Sequence, residues 1–266
     1  MVASSSGCCS SWGGSVSEIQ ERRRTKLRDQ HRHEKRWQQL RVHSVRRIHD
    51  QFVRIDFDYG SEEIESHGFD DVLVLCFPLV LSTGAKPTEP DGVHDYATRE
   101  YSVRCVDTKN HLVTVDFLVH QHGVATRWAQ NARPNQRLWC IPPRMCKGYA
   151  EASATYLFAD PSALPAVSRF HSEARETPGH TVLVDAQFAK GTLKSSPRRG
   201  LTFLDIQTPP DRLIEASRLG GRTEHESSFI WIAGEAHWAA GLRKVLVQDY
   251  AVNKENIQFT GYWKFG

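Results

Sequence analysis

Apolar and polar residues alternate along several short stretches of the first half of the chain. The alternation runs through VHSVRRIHDQFVRIDFDY (42–59), YSVRCVD (101–107) and LVTVDFLVH (112–120). A period of two is typical of strands with one buried face. Turn-forming residues separate these stretches at 60–61 and within 82–92. Several short antiparallel strands at this spacing predict a small β-barrel or sandwich.

Two segments of this half depart from the alternation. VLVLCFPLVL (72–81) is continuously apolar, but it contains Pro78 and is about half of the roughly 20 residues that a bilayer requires. We therefore predict a buried strand and no membrane span. ATRWAQNA (125–132) has helical spacing, with Thr126 as its expected N-cap.

Beyond residue 150 the pattern changes to strands that alternate with helices. The strands are ATYLFA (154–159), HTVLVDA (180–186) and SSFIWIAG (227–234), and the helices are 162–174, capped by Ser162, and 235–250. This alternation predicts βαβ units and a parallel sheet. The predicted fold class is thus a β-barrel plus α/β, with a barrel domain at 41–150 and an α/β domain at 151–266.

Charge is distributed unevenly along the chain. Residues 1–50 carry 11 of the 34 Lys and Arg residues but only 5 of the 31 Asp and Glu residues, so the remainder is mildly acidic. The basic run ERRRTKLRDQHRHEKRW (21–37) has Trp37 as its one aromatic residue, and therefore lacks the stacking platform of single-strand binding. We interpret residues 1–40 as a disordered basic tail and expect no nucleic-acid partner.

The amino-terminal segment and the cysteines favour a cytoplasmic location. MVASSSGCCSSWGGS has no apolar core of a secretory signal, and acidic residues such as Glu18 and Glu21 argue against a transit peptide. The six cysteines include no C-x-x-C pair, so we expect no metal site. Any redox chemistry then requires an organic cofactor.

The stretch REYSVR (99–104) is by itself typical of an ordinary half-exposed strand. Together with four further segments that follow it in order along the chain, this stretch resembles the siderophore-interacting protein family. The members of that family are FAD-dependent ferric-siderophore reductases of the ferredoxin-reductase-like superfamily. The segments that carry the resemblance are TREYSVR (98–104), VDFLVHQHGVATRWA (115–129), FADPSALPAV (158–167), WIAGEAHWAAGLRKVL (231–246) and GYWKFG (261–266). The similarity covers roughly residues 42–266. It implies an FAD-binding barrel followed by an NAD(P)-binding parallel sheet.

For the barrel, the resemblance assigns Arg99, Tyr101 and Ser102 to FAD. Arg99 would pair with the pyrophosphate through its planar fork. Tyr101 would offer a face to the isoalloxazine ring and Ser102 a hydroxyl near its reactive nitrogen, so these two are the expected catalytic residues.

The end of the predicted strand 112–120 and the segment that follows it would complete the FAD site. The resemblance adds His120, and Gly123 permits close backbone approach. The amides that open the helix around Ala125 and Thr126 suit a pyrophosphate, whereas Trp128 is expected to pack in the core.

In the α/β domain the resemblance points to two strand-to-helix turns as the nucleotide site. The first contains Asp160 and Ser162, and the second contains Gly234 and Glu235. Pro161 stands where the family usually has Glu, which removes a polar contact. No G-x-G-x-x-G follows the first strand, so a dehydrogenase-type dinucleotide fold is excluded.

The implied substrate is a ferric siderophore or another ferric chelate. Many such chelates are anionic and are attracted by basic groups. The family often has Lys where this chain has Val74, which leaves Lys264 as the leading substrate-binding candidate and Arg54 as a weaker one. We expect a monomer.

The implied reaction passes a hydride from NADH or NADPH to FAD, which then reduces Fe(III) to Fe(II) one electron at a time. The donor stays open, because Asp185 would favour NADH. By contrast Lys194, Arg198 and Arg199 would bind the 2′-phosphate of NADPH.

Two other functions remain open. One is a general NAD(P)H–flavin oxidoreductase with another acceptor, such as a quinone or oxygen. The second is a non-catalytic siderophore-binding protein, which the departures at Val74 and Pro161 favour.

Overall fold

The computed structural model describes residues 37–66, 68–79, 96–120, 123–143, 152–173, 177–190, 193, 199–219 and 228–264. The described residues divide into two compact units, one within 1–67 and 72–145 and the other within 68–71 and 146–266. Most of the predicted tail, residues 1–36, lies outside the described residues, as do the predicted 82–92 turn and the predicted boundary near residue 150. Within the described ranges, every helix falls short of the length and apolarity needed to cross a membrane.

The first unit is a closed antiparallel barrel, as predicted. Its described strands follow one another around the barrel in the order β1-β2-β5-β4-β3-β6. Their bounds are β1 Gln38–His49, β2 Phe52–Asp58, β3 Val72–Pro78, β4 Tyr96–Asp107, β5 Leu112–Leu118 and β6 Arg137–Ile141.

The long alternating stretch 42–59 forms two strands and not one. It turns at residues 50–51, and β1 pairs with β2 antiparallel. Because β1 begins at Gln38, the last residues of the predicted tail are already part of the barrel. Inward-facing Val, Ile, Leu and Phe side chains fill the interior, since alternate residues of each strand point to the same side.

Polar side chains form hydrogen bonds between neighbouring strands of the barrel, and one group of them is centred on Asp56. The carboxylate of Asp56 accepts hydrogen bonds from the hydroxyls of Ser44 and Thr114, both at 2.7 Å, and from Arg46 at 2.9 Å. Partial burial tends to raise the pKa of Asp56, but these three donors outweigh it and hold that pKa below its usual value.

Helix α1 (Val124–Asn131) packs against β2, β3 and β5. Trp128 is buried and stacks on Phe57 with ring centroids 6.1 Å apart, which confirms its expected packing role. The predicted cap is wrong: Gly123 is the N-cap, and Thr126 lies inside the helix, turned into the protein.

The second unit is a five-stranded parallel sheet in the order β11-β10-β7-β8-β9, as the strand–helix alternation predicts. Its strands are β7 Ala154–Ala159, β8 Gly179–Val184, β9 Arg199–Leu204, β10 Ser228–Glu235 and β11 Ile257–Trp263, and its helices are α2 Leu164–Glu173, α3 Pro210–Ser217 and α4 Ala236–Gln248. The sequence patterns missed β9, α3 and β11. These elements are only partly buried, so their apolar periodicity is weak.

Residues 68–71, which lie between β2 and β3 in the chain, pack within the second unit. Phe69 is buried with its ring centroid 4.9 Å from that of Phe170 and 5.3 Å from that of Trp231. The buried Asp71 accepts a hydrogen bond of 3.1 Å from the guanidinium of Arg169, which is also buried. This short segment therefore belongs to the core of the second unit, whereas the strands before and after it in the sequence, β2 and β3, belong to the barrel.

Candidate functional site

The REYSVR string lies on β4, with its three predicted residues in different environments. Arg99 is exposed, and its Nη1 donates to the carbonyl of Thr98 at 2.7 Å. Tyr101 is half-buried and Ser102 is buried. Strand alternation places Arg99 and Tyr101 on one face of β4, where they pair with Leu75 and Leu73 of β3, and Ser102 on the opposite face, where it pairs with Val72.

Tyr101 belongs to an aromatic cluster that extends to helix α1. Its ring centroid lies 4.5 Å from that of Phe117 and 6.1 Å from that of Phe77, and both of these rings contact Trp128. Burial raises the pKa of Tyr101 to about 12, and the charge of Arg99 only partly offsets this effect. The phenol therefore stays protonated further into the alkaline range than an ordinary Tyr.

The start of α1 carries the other predicted barrel residues. Gly123 has φ +141, and a Cβ built on it would lie 2.9 Å from Cε1 of the exposed His120. The N-cap provides no side-chain hydrogen bond to the helix, and no acidic residue occupies the first turn. The opening amides around Ala125 are thus not satisfied by a capping side chain.

Thr126 adds an independent sign that something polar belongs here. The residue is only 2% exposed, and its hydroxyl has no hydrogen-bond partner among the described residues. A buried hydroxyl without a partner is costly, so such groups usually meet a ligand or a water. An uncapped helix start, an unsatisfied hydroxyl and the Arg99 guanidinium on the same unit fit the phosphates of a dinucleotide.

The second predicted cluster lies at the carboxyl ends of the parallel strands. In the sheet order, β7 is flanked by β10 on one side and by β8 on the other, so the strand order reverses at β7 and β10. Ligands of open parallel sheets bind at such a switch point, beyond the carboxyl ends of the strands. Asp160 directly follows β7, and Glu235 ends β10.

Asp160 is only 1% exposed and accepts four hydrogen bonds. Its Oδ1 accepts from the amide and hydroxyl of Ser162 at 2.8 and 2.5 Å. Its Oδ2 accepts from the amide of Glu235 and from Nε1 of Trp263, both at 2.8 Å. Burial raises the pKa of Asp160, against the lowering effect of these donors. A carboxylate offers about four acceptor positions, so none remains for a nucleotide.

The other residues predicted for the nucleotide site, Ser162, Gly234 and Glu235, lie next to the Asp160 carboxylate. A Cβ on Gly234, which has φ +155, would lie 2.6 Å from the Asp160 carboxylate, so this glycine makes room for Asp160. Glu235 is buried and caps α4, since its Oε2 accepts from the amide of Trp238 at 2.8 Å. Ser162 was expected to cap the helix after β7, but that expectation is wrong: Asp160 caps the turn that begins there.

Three charged candidates have different surroundings. Arg54 does not provide an available cation, because it forms a bidentate pair with Asp116 at 2.6 and 2.7 Å. Arg199 is buried at the amino end of β9, opposite the carboxyl edge of the sheet, with its guanidinium 4.4 Å from the Phe170 ring centroid. It is therefore not placed to bind a 2′-phosphate. Lys264 is exposed directly after β11.

Asp185 lies at the carboxyl end of β8, as predicted, and its Oδ1 accepts from the amide of Ile206 at 3.0 Å. Lys194 and Arg198 lie outside the described residues. The partly exposed Val74 pairs with Glu100 across β3 and β4.

Trp263 is the residue at this edge that the sequence patterns missed. It ends β11, is 40% exposed and is fixed to Asp160 through its indole N–H. The only available signal was its place beside Lys264 in the motif GYWKFG. An exposed Trp at the end of a strand would otherwise be taken for an unremarkable surface residue.

The closed barrel followed by the parallel five-stranded sheet is the architecture of the ferredoxin-reductase-like fold. Ferredoxin NADP⁺ reductase from Neisseria gonorrhoeae shares this fold with a TM-score of 0.62, covering 87% of this chain and 100% of that chain. At 10% identity, the likeness shows the fold alone.

Two family descriptions match consecutive parts of the chain. The siderophore-interacting FAD-binding domain matches residues 41–146, and the siderophore-interacting protein domain matches residues 152–266. The chain belongs to the siderophore-interacting protein family, which confirms the resemblance seen in the motifs.

Individual relatives support this family assignment. NADPH-dependent ferric-chelate reductase of Escherichia coli (strain K12) is 27% identical over 252 residues, which is 87% of this chain and 94% of that protein. The crystal structure of a siderophore utilization protein from T. fusca is 29% identical, with a TM-score of 0.69 over 87% of this chain and 94% of that chain.

Proposed function

We propose that this protein is an NAD(P)H-dependent, FAD-containing reductase that reduces Fe(III) in ferric siderophores, so that Fe(II) is released in the cytoplasm. The observation that carries the proposal is the strand with Arg99, Tyr101 and Ser102 inside a domain of the siderophore-interacting FAD-binding type. The name of the Escherichia coli relative supports ferric-chelate reduction and NADPH as the donor.

The barrel residues take the positioning roles. Arg99, whose guanidinium is exposed, holds the pyrophosphate together with the opening amides of α1 and the hydroxyl of Thr126. Tyr101 presents an aromatic face whose tilt is fixed by Phe117. A bound flavin supplies the conversion of a two-electron hydride donor into single electrons for iron. No side chain has to act as a nucleophile or a general base.

The second unit binds the nicotinamide donor at the carboxyl edge of its sheet. Ser162 and Asp185 lie at this edge, and Asp185 retains a second carboxylate oxygen for a ribose hydroxyl. Lys264, exposed after the last strand, attracts the anionic ferric chelate. Because Arg54 is neutralised by Asp116, Lys264 is the better candidate of the two.

The central test replaces Arg99 with Ala and measures FAD binding. Loss of one charge-assisted contact of about 1.5–3 kcal/mol weakens FAD binding by about 10- to 100-fold. Arg47→Ala is the matched control, since Arg47 is also an exposed barrel arginine that donates to a backbone carbonyl, that of Asp50 at 3.1 Å. The flavin-to-protein ratio and the FAD dissociation constant are measured for both variants. Full FAD content and unchanged affinity in Arg99→Ala would contradict the proposal.

Substitutions of Tyr101 and Ser102 distinguish an effect on FAD binding from an effect on flavin reduction. Tyr101→Ala is expected to lower flavin retention because the aromatic face is lost. Ser102→Ala is expected to keep near-normal FAD content while slowing flavin reduction by NAD(P)H, measured before the steady state. Equal loss of stability in all variants without a selective effect on flavin would mean that REYSVR is only a strand.

The electron acceptor is tested by reoxidation of the reduced protein in a stopped-flow instrument. Ferric siderophores and quinones are compared at matched concentrations. Faster reoxidation by quinones would favour a general flavin oxidoreductase, and a protein that purifies without flavin and binds none would favour a siderophore-binding role.

A further inference from the structure

Asp160 connects three strand ends at the point where the sheet order reverses. It follows β7, it accepts from the amide of Glu235 at the end of β10, and it accepts from the indole of Trp263 at the end of β11. These donors lie 75 and 103 positions away in the chain. No local turn therefore explains the arrangement.

The surroundings of Asp160 are shaped for its carboxylate. Gly234 leaves open the space that a Cβ would occupy 2.6 Å from that carboxylate, at a φ of +155 that L side chains rarely adopt. Four hydrogen bonds converge on its two oxygens, three of them from N–H groups that can only donate, and this arrangement suits the acceptor-only, ionised form of the side chain. In Asp160→Asn, the side-chain NH2 would replace one of the oxygens and would face an N–H group that already donates to that position.

The hydrogen bonds of the buried Asp160 include one to a partly exposed residue, Trp263. Its indole N–H is bound to Asp160 while 40% of the residue stays exposed at the ligand-binding edge. An indole held at one end by a hydrogen bond presents its face in one orientation, and aromatic faces stack on planar rings. A residue that fixes this face acts on a ligand without touching it.

We propose that Asp160 is a positioning residue of the nucleotide site, which orients Trp263 and the Glu235 turn so that the exposed indole face receives the planar ring of the nicotinamide donor. The inference rests on the proposed function for its ligand, and it replaces the direct nucleotide contact expected of Asp160 with an indirect one. It concerns the contacts of Asp160 and Trp263, both in the second unit.

The first test is spectroscopic and needs no activity. The Nε1–H resonance of Trp263 is assigned by its absence from Trp263→Phe in a spectrum of indole-labelled protein. In Asp160→Asn we expect this resonance to move upfield and its hydrogen exchange to accelerate, because the charged acceptor is lost. The matched control is Asp205→Asn, since Asp205 follows β9 and accepts one turn amide, that of Gln207 at 2.7 Å. An unchanged Trp263 resonance in Asp160→Asn overturns the proposal.

The second test measures the dissociation constants of NADP⁺ and NAD⁺ by calorimetry. We expect Asp160→Asn to bind the preferred dinucleotide about 10-fold more weakly, with kcat changed less than KM, and Trp263→Phe to weaken binding by ~3-fold or more. The double variant should bind no more weakly than Asp160→Asn, because residues that act through one contact are not additive. Normal affinity in Asp160→Asn, full additivity, or an equal effect of Asp205→Asn overturns the proposal.

The failures of the two proposals are distinguishable. If the wild-type protein binds neither dinucleotide, the proposed donor is wrong and so is the ligand assigned to the indole face, while the resonance still decides whether Asp160 orients Trp263. If Asp160→Asn does not fold, Trp263→Phe tests the same contact from its other end, and unchanged binding in that variant overturns the proposal.

Discussion

Replacing Phe69 with Ala tests whether the segment 68–71 is part of the second unit's core. Phe69 is 2% exposed and contacts two rings edge-on, with interplanar angles of 66° to Phe170 and 67° to Trp231. Removing a buried Phe side chain costs about 3–5 kcal/mol of unfolding free energy. The two edge-to-face pairs place the expected loss in the upper part of that range.

A loss of this size is large compared with the roughly 5–15 kcal/mol that stabilises a typical domain. We expect the melting temperature of the second unit to fall by roughly 10–20 °C. Far-UV circular dichroism follows the transition, and hydrogen exchange read by mass spectrometry shows which strands lose protection. Faster exchange should concentrate in β7 and β10, which form the centre of that sheet with β8.

The control is Phe259→Ala on the edge strand β11. Phe259 is 40% exposed, and its ring centroid lies 4.9 Å from the Arg243 guanidinium, so its removal should cost less than about 1 kcal/mol. If Phe69→Ala melts no earlier than Phe259→Ala, or if protection is lost from the barrel strands instead, the assignment of residues 68–71 to the second unit is wrong.

Two further substitutions test single groups. Gly234→Ala puts a methyl group 2.6 Å from the Asp160 carboxylate at a φ of +155; we expect about 1–3 kcal/mol of destabilisation in urea unfolding and the same shift of the Trp263 resonance as in Asp160→Asn, whereas wild-type values for both would show that the space is not needed. Asp56→Asn removes a carboxylate whose pKa is lowered by folding, so its stabilisation is present above the ordinary carboxyl pKa and disappears as the pH falls through the lowered one. Its destabilisation, about 1–3 kcal/mol near neutral pH, should therefore shrink toward about pH 3, and a loss that is constant with pH would contradict the assignment.

The order of elements was readable from the sequence because local patterns carry it. A period of two marked the barrel strands, and the strand–helix alternation after residue 150 marked the parallel sheet. The string around Arg99, Tyr101 and Ser102 was recognisable because its residues are consecutive on one strand. Weakly periodic elements such as β9 and β11 escaped, since partly buried edge strands have no clear apolar alternation.

The partners of the polar side chains were decided by the tertiary structure. Arg54 looked like a cation available to substrate until the pairing of β2 with β5 placed it opposite Asp116. Asp160 looked like a nucleotide ligand until strand order brought Glu235 and Trp263 to its carboxylate. Local sequence specifies the type of each element, but a hydrogen-bond partner 75 or 103 positions away becomes a neighbour only when strands pair in a particular order. That order is set by burial of the whole core, which no short stretch of sequence contains.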